Sequence, residues 1–451
     1  MKPFAITTLV LAGVLALDAA EDGFHPLFNG RDLTGWIDVN GHPGTWQVRD
    51  GMIVCTGQPA GFLRTGRQYE NFILEFEWLH QPRTDGEPGN AGLFIWADPI
   101  PAAGQGNFTR AVEVQILAGL ERRDPATHAL TVDRELDCAV AGGDAVMVPF
   151  AEPSGVKFRG NAPLPPERVR AIGGAVHAPD AENVAVAGDG HEVSGVHGCS
   201  VRKGYLALDS EGNPIRFRNL RIKELPSSNP SPGQIAPDGT SWERLYNRLD
   251  LSNWKVDAGH AGHWKAEDWK LTYDGKSEAS DKNLWTKKTY GDFELICDWR
   301  LTGQPKKRSI PIVLPNGEHA KNPDGTEQKI EIDDFGDSGI YLRGSSKSQV
   351  NIWSWPIGSG EVYGYRMDKT MPLEVRTGVT PRAHADHKPG EWNRFHITMR
   401  GDRLTVMLNG ETVVENAQLP GVPPTGPLAL QHHGDPIEFA NLYIRNLPAG
   451  P

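Results

Sequence analysis

The chain has 451 residues, 38% hydrophobic, 23% charged and 8% aromatic, a globular composition long enough for two domains of roughly 200 residues. Its 46 Lys and Arg stand against 57 Asp and Glu, a net charge of −11 that excludes a sequence-independent nucleic-acid binder as the natural reading. The 51 glycines and 35 prolines favour turn-rich β structure over helical bundles.

In chain order, Lys2 precedes an apolar run over residues 4–17, followed by Ala19-Ala20 and acidic Glu21-Asp22. This is the pattern of a signal peptide over residues 1–20, too short to span a bilayer, although Asp18 leaves the cut position open. Export to the periplasm or the extracellular space is the expectation, with no membrane span. Four cysteines follow, Cys55, Cys138, Cys199 and Cys297, none at zinc or redox-pair spacing. Cys297 lies in an alternating apolar run and reads as a core residue. A Cys138–Cys199 bridge is left open by the sequence.

The most informative feature is a repeat. Phe28-Asn29-Gly30-Arg31-Asp32-Leu33-Thr34-Gly35-Trp36 returns as Tyr246-Asn247-Arg248-Leu249-Asp250-Leu251-Ser252-Asn253-Trp254. Tyr69-Glu70-Asn71-Phe72 returns as Tyr290-Gly291-Asp292-Phe293, and Phe217-Arg218-Asn219-Leu220 as Phe439-Ala440-Asn441-Leu442. The displacement is 218 residues at the opening block and 222 at the closing one, so two whole copies of one unit are present. They are expected over residues 21–225 and 241–451, joined by a Pro/Ser linker at 226–240.

Within each copy the hydrophobic period is two: Phe72, Leu74 and Phe76 alternate with Ile73, Glu75 and Glu77, and Leu404, Val406 and Leu408 run into an Asn409-Gly410 hairpin turn. Short strands with this punctuation predict an all-β chain of two tandem jelly-roll sandwiches. One stretch breaks the match. Gly390-Glu391-Trp392-Asn393 opens a clear hairpin in the second copy, whereas residues 170–193 of the first contain no aromatic. A local reading-frame slip or a long loop over residues 150–190 would each account for this, and local irregularity is expected.

Candidate chemistry follows from strand faces. Gln349, Asn351 and Trp353 share one face of a strand, and Glu113 and Gln115 share one in the first copy. Amides bond hydroxyls as donor and acceptor and an indole packs on a sugar ring, so the face suits a carbohydrate, or equally is a solvated sheet face. Alternation places Arg343 with Gly339 and Tyr341 on that face, where it binds an oxyanion or forms an ion pair with Asp337 or Glu361. Gln431-His432-His433-Gly434 ends a strand with one histidine on each side, and His433 is a candidate general base. Weaker signals are Glu331 and Asp333, a carboxylate pair about 7 Å apart or a solvated hairpin, and His384-Ala385-Asp386-His387, a Pro-flanked loop that holds a divalent metal or is simply solvated.

The blocks Phe28–Trp36, Glu113-Val114-Gln115-Ile116-Leu117, Asp337-Ser338-Gly339-Ile340-Tyr341, Gly390-Glu391-Trp392-Asn393 and Gln431-His432-His433-Gly434 resemble those of the 3-keto-disaccharide hydrolase family. The resemblance covers nearly the whole mature chain, twice. It implies a concanavalin-like jelly roll acting on an oxidised sugar, a 3-keto-glycoside, and association with the sugar 3-dehydrogenases that supply it. A C3 ketone acidifies the C2 proton, so a base removes it, the C1 aglycone leaves and water adds back. His433 is then the expected base, Arg343 or a divalent metal the enolate stabiliser, and Gln349, Asn351, Trp353 and Gln431 the sugar-positioning set. Glu113 and Gln115 match the family block in the first copy, where Glu211 replaces His433. The rival from another class is a carbohydrate-binding or adhesion module without turnover.

Overall fold

The computed structural model describes residues 23–81, 89–103, 108–117, 120–123, 130–133, 136–141, 172–180, 183–188, 191–197, 201–239, 241–267 and 269–448. The leader expected over residues 1–20 and Cys199 lie outside them, as do the side chains of Gln115 and Cys138. Among the described residues no helix is long and apolar enough to cross a membrane.

Two β-sandwiches are present, and the repeat in sequence is a repeat in topology. In the first, an eight-stranded sheet runs His191–His197, Asn183–Gly188, Ile172–Asp180, Phe72–His80, Ile215–Glu224, Met52–Cys55, Trp46–Arg49, with His25–Pro26 on Ile215–Glu224. In the second, the same order reads Glu411–Gln418, Arg403–Leu408, Asn393–Arg400, Phe293–Leu301, Ile437–Asn446, Lys270–Tyr273, Trp264–Glu267, with Glu243–Arg244 on Ile437–Asn446. The opposing sheet of the second copy has five strands, ordered Trp254–Lys255, Leu284–Thr286, Ala429–Leu430, Asp337–Leu342, Ser345–Trp353. Its counterpart in the first copy carries one further edge strand, Leu136–Ala141.

Alternation decides which face is core. Phe72, Leu74, Phe76 and Trp78 are buried while Ile73, Glu75 and Glu77 between them are partly exposed, and Leu404, Val406 and Leu408 behave alike. Asn409 and Gly410 both adopt positive φ (53° and 86°), the backbone of a two-residue hairpin turn. Cys297 is a free, fully buried thiol, as its alternating surroundings suggested, and Cys55 is likewise free and buried.

The aromatic-free segment of the first copy is not a loop from 172 onward. Its Gly-, Ala- and Val-rich runs form three antiparallel strands at the edge occupied by Asn393–Gln418 in the second copy, with bulges after His177 and Val186. Backbone pairing to Phe72–His80 specifies this edge even where large side chains are missing.

The sandwiches pack directly on each other. Val39, Phe62, Phe94, Tyr205 and Ala207 of the first copy's smaller sheet form one buried cluster with Ile296 and Tyr443 of the second copy's larger sheet. Polar contacts surround it: the Tyr443 hydroxyl donates to Asn40 Oδ1, Arg248 to the carbonyls of Asn40 and Ala60, Arg244 to Gly41 (2.8 Å) and Arg394 to Pro101 (2.9 Å).

Candidate functional site

In the second sandwich, register assigns the smaller sheet's two faces. Leu284, Leu430, Ile340 and Val350 are cross-strand neighbours and point into the core. Trp285, Ala429, Tyr341 and Gln349 are neighbours on the opposite face, and Gly339–Asn351 and Asp337–Trp353 extend it. Gly339 is required there, because a Cβ would sit 2.5 Å from Gln349 Nε2.

Three amides form a chain across this face. Gln349 Nε2 donates to Gln431 Oε1 and to Asn351 Oδ1, both at 2.7 Å. With the Asn351 amide turned, its nitrogen instead donates to the Ser338 carbonyl (2.9 Å) and Asp337 Oδ1 (3.3 Å), and the bond from Gln349 to Asn351 is given up. Tyr341 packs on Trp285 (5.8 Å between ring centroids) and lies against Gln431. Beyond Trp285 opens a groove of about 600 Å³ lined by Asp250, Lys255, Asp281 and Asn283 among others.

The two histidines diverge as expected for a strand end. The His432 ring meets the Tyr273 hydroxyl and its backbone N–H donates to Asn283 Oδ1 (2.9 Å). His433 turns to the carboxylates, with Nε2 3.8 Å from Asp337 Oδ2 and Nδ1 4.0 Å from Asp435 Oδ2. Burial lowers the His433 pKa from its ordinary value, opposed by Asp435, and this favours the neutral imidazole. Burial first, then Asp334, raises the Asp337 pKa well above the carboxylate range, despite the opposing pull of Arg308, and favours the protonated acid. Both shifts run toward the uncharged forms, a neutral imidazole beside a protonated carboxyl.

Two expectations change. Arg343 does not join this face. The strand ends at Leu342, and Arg343 takes φ +50°, which carries its side chain into a buried slot. There four of its five N–H groups go to the carbonyls of Gly291 (2.8 Å), Gly401 (2.6 Å) and Pro423 (3.2 Å) and to Asp292 (2.9 Å), and at 2% exposure the guanidinium is not turned to a ligand. Its ion-pair partner is Asp292, neither Asp337 nor Glu361, and Glu361 pairs instead with Arg366 (2.9 Å). Trp353 does share the face of Gln349 and Asn351 but is 3% exposed, stacked on Trp355 at 4.1 Å with its N–H on the Gly358 carbonyl. The more open aromatic pair is Trp285 and Tyr341.

Glu331 and Asp333 are exposed on a two-stranded hairpin, Asp333 paired with Lys307 (2.8 Å), the solvated arrangement. His384, Asp386 and His387 line a cavity of about 240 Å³, with Asp386 on the Ser359 N–H (3.0 Å) and His387 Nδ1 on the Trp392 carbonyl (2.8 Å). Among the described residues they do not converge as metal ligands.

The first sandwich has lost the corresponding face. The positions of Tyr341 and Trp285 hold Phe94 and Arg64. Phe94 is in the inter-sandwich cluster, and Arg64 is buried with its donors on the carbonyls of Pro99, Thr65 and Gly239. Glu113 is buried as well, so it does not present itself to a sugar in the way the strand pattern suggested.

The family model of the 3-keto-alpha-glucoside-1,2-lyase-like domain matches residues 23–223 and again 241–445. The chain belongs to this family. A 3-keto-disaccharide hydrolase of Bacteroides thetaiotaomicron is 28% identical over 96 residues, 19% of this chain and 31% of that protein. Among solved structures, a candidate glycosyl hydrolase from Parabacteroides distasonis is 23% identical, covering 46% of this chain and 84% of its own, with a TM-score of 0.32. The carbohydrate-binding module CBM66 of Bacillus subtilis is 13% identical, covering 42% and 96%, with a TM-score of 0.27.

Sequence reasoning did not single out Trp285, Asp337 as an acid, or Arg308. Trp285 and Tyr341 meet only through pairing of distant strands. The pattern around Asp337 was visible, but the upward push on its pKa comes from burial and from Asp334 and Asp435 packing beside it, which only the fold creates.

Proposed function

We propose that the second sandwich cleaves 3-keto-glycosides by elimination, with His433 as the base. His433 takes the C2 proton, and the C2–H electron pair becomes the enolate of the C3 ketone. Collapse of the enolate forms the C1–C2 double bond and expels the C1 oxygen, which takes a proton from Asp337. Water then adds across the double bond, and the net reaction is hydrolysis. Arg308, held to Asp334 at 2.9 Å, is the guanidinium whose field reaches His433, and it takes the enolate-facing role expected of Arg343. Gln349, Gln431 and Asn351 orient the hydroxyls, and Trp285 and Tyr341 carry the ring.

The observation that carries this reading is the opposed protonation preference of His433 and Asp337 at 3.8 Å beside an amide chain suited to hydroxyls. The expected leader places the reaction outside the cytoplasm, where oxidised sugars would be met. The test is NMR of the purified protein with a 3-keto-glucoside beside its unoxidised parent. Cleavage of the keto sugar alone, lost in His433→Ala and slowed in Asp337→Asn, supports the reading. Saturable binding of either sugar without cleavage would instead make the protein a carbohydrate-binding module.

A further inference from the structure

Three positions that carry neutral groups in the second sandwich carry carboxylates in the first. Register equates Glu113 with Gln349, and Leu208 with Leu430, so Asp209 answers Gln431 and Glu211 answers His433. One oxygen of each of Glu113, Asp209 and Glu211 lies within 4.8 Å of the others. Whereas Gln349 and Gln431 satisfy each other, Asp209 is 1% exposed and neither of its carboxylate oxygens has a hydrogen-bond partner. Glu113, 7% exposed, leaves Oε1 equally unpartnered. Gly92 supplies the room, since a Cβ there would stand 2.3 Å from that oxygen.

We propose that the first sandwich holds a divalent, oxygen-preferring cation on Glu113, Asp209 and Glu211. Desolvated carboxylates this close repel each other and cost several kcal/mol to bury unless a counter-charge is supplied. A cation of the calcium or manganese class supplies it, and ligand oxygens up to 4.8 Å apart fit around an ion 2.3–2.6 Å from each. The donors are all oxygen, which disfavours zinc. Burial and Glu211 push the Glu113 pKa up to about 7, and burial, Glu211 and Glu113 push Asp209 well above the usual range, opposed only by the nearby Ser210 amide. Glu211 is half-buried and accepts from Asn90, so the ion is reached from its side and completes its shell with water. The site is separate from His433 and stands or falls independently of the elimination chemistry.

The experiment is calorimetric titration of the full chain, stripped with chelator, with calcium chloride and in parallel with manganese chloride at pH 7.5. One ion per chain should bind, with a rise in melting temperature. Asp209→Asn and Glu211→Gln should each weaken binding at least 100-fold, and in chelator Asp209→Asn should melt no lower than the parent, because a neutral isostere replaces a carboxyl whose ionised form the empty site disfavours. Should Asp209→Asn fail to fold, the half-buried Glu211→Gln carries the test. Absence of saturable binding by both ions, or unchanged binding in the folded variants, would overturn the proposal.

Discussion

Arg343→Ala separates a structural from a chemical role for the residue that sequence alternation placed in the site. The guanidinium is 2% exposed and holds three backbone carbonyls and Asp292, all at 2.6–3.2 Å. Removing it strands the partly buried Asp292 and three carbonyls together, and breaking a buried pair in this way costs about 3–5 kcal/mol. At roughly 2–4 °C per kcal/mol for a domain of this size, the melting midpoint of the second sandwich should fall by about 6–20 °C. Scanning calorimetry reads that shift, and initial rates on a 3-keto-glucoside at 20 °C read chemistry in the folded protein. The expected result is a lowered midpoint with kcat close to the parent. An unchanged midpoint with kcat reduced a hundredfold would refute the argument and return Arg343 to the reacting atoms.

Further outcomes follow from the same geometry. His433 works as the neutral imidazole and its pKa is lowered, so kcat/KM should rise with pH through a midpoint below about 6.5 and fall again once Asp337 loses its proton; a pH–rate profile of parent and Asp435→Asn checks this, the variant shifting the rising limb to lower pH because Asp435 raises the His433 pKa. Trp285→Ala should raise KM about tenfold, near 1.4 kcal/mol, with little change in kcat if the indole carries the sugar ring; steady-state kinetics measure the split. In chelator, Glu113 with a folded-state pKa of about 7 binds more protons folded than unfolded between pH 4.5 and 7. Glu113 should therefore contribute a fall in stability on the order of 3 kcal/mol across that window as pH rises, and Glu113→Gln should lessen the slope, leaving the parts due to Asp209 and Asp337, as denaturant titrations would show.

Much of the fold was legible because period-two burial is a local property: the alternation at Phe72–Trp78 and Leu404–Leu408 is visible in the letters and survives intact in the sheets. The doubled topology was equally visible in the repeated blocks. The three strands from Ile172–Asp180 to His191–His197 were harder, since their run of Gly, Ala and Val carries little alternation and only backbone pairing, first of Ile172–Asp180 with Phe72–His80, sets their order. In the site, spacing put Gln349 and Asn351 on one strand face and the family resemblance added Gln431; only the register brings the three amides into contact. Arg343 went astray where alternation was carried one residue past the strand into a positive-φ turn. Trp353 was placed on the right face, but its covering by Trp355 comes from a turn whose path the strand pattern does not encode. The carboxylate trio of the first sandwich was split in sequence between Glu113 and Asp209-Ser210-Glu211, and only the register brings it together.

The central claim is that the second sandwich breaks a C2–H bond with His433. The most direct measurement compares a 3-keto-glucoside with its C2-deuterated form under the same conditions, in the parent and in His433→Ala. The account predicts a primary isotope effect on kcat/KM in the parent and no measurable turnover in the variant. Equal rates for the two substrates with cleavage surviving in His433→Ala would contradict it.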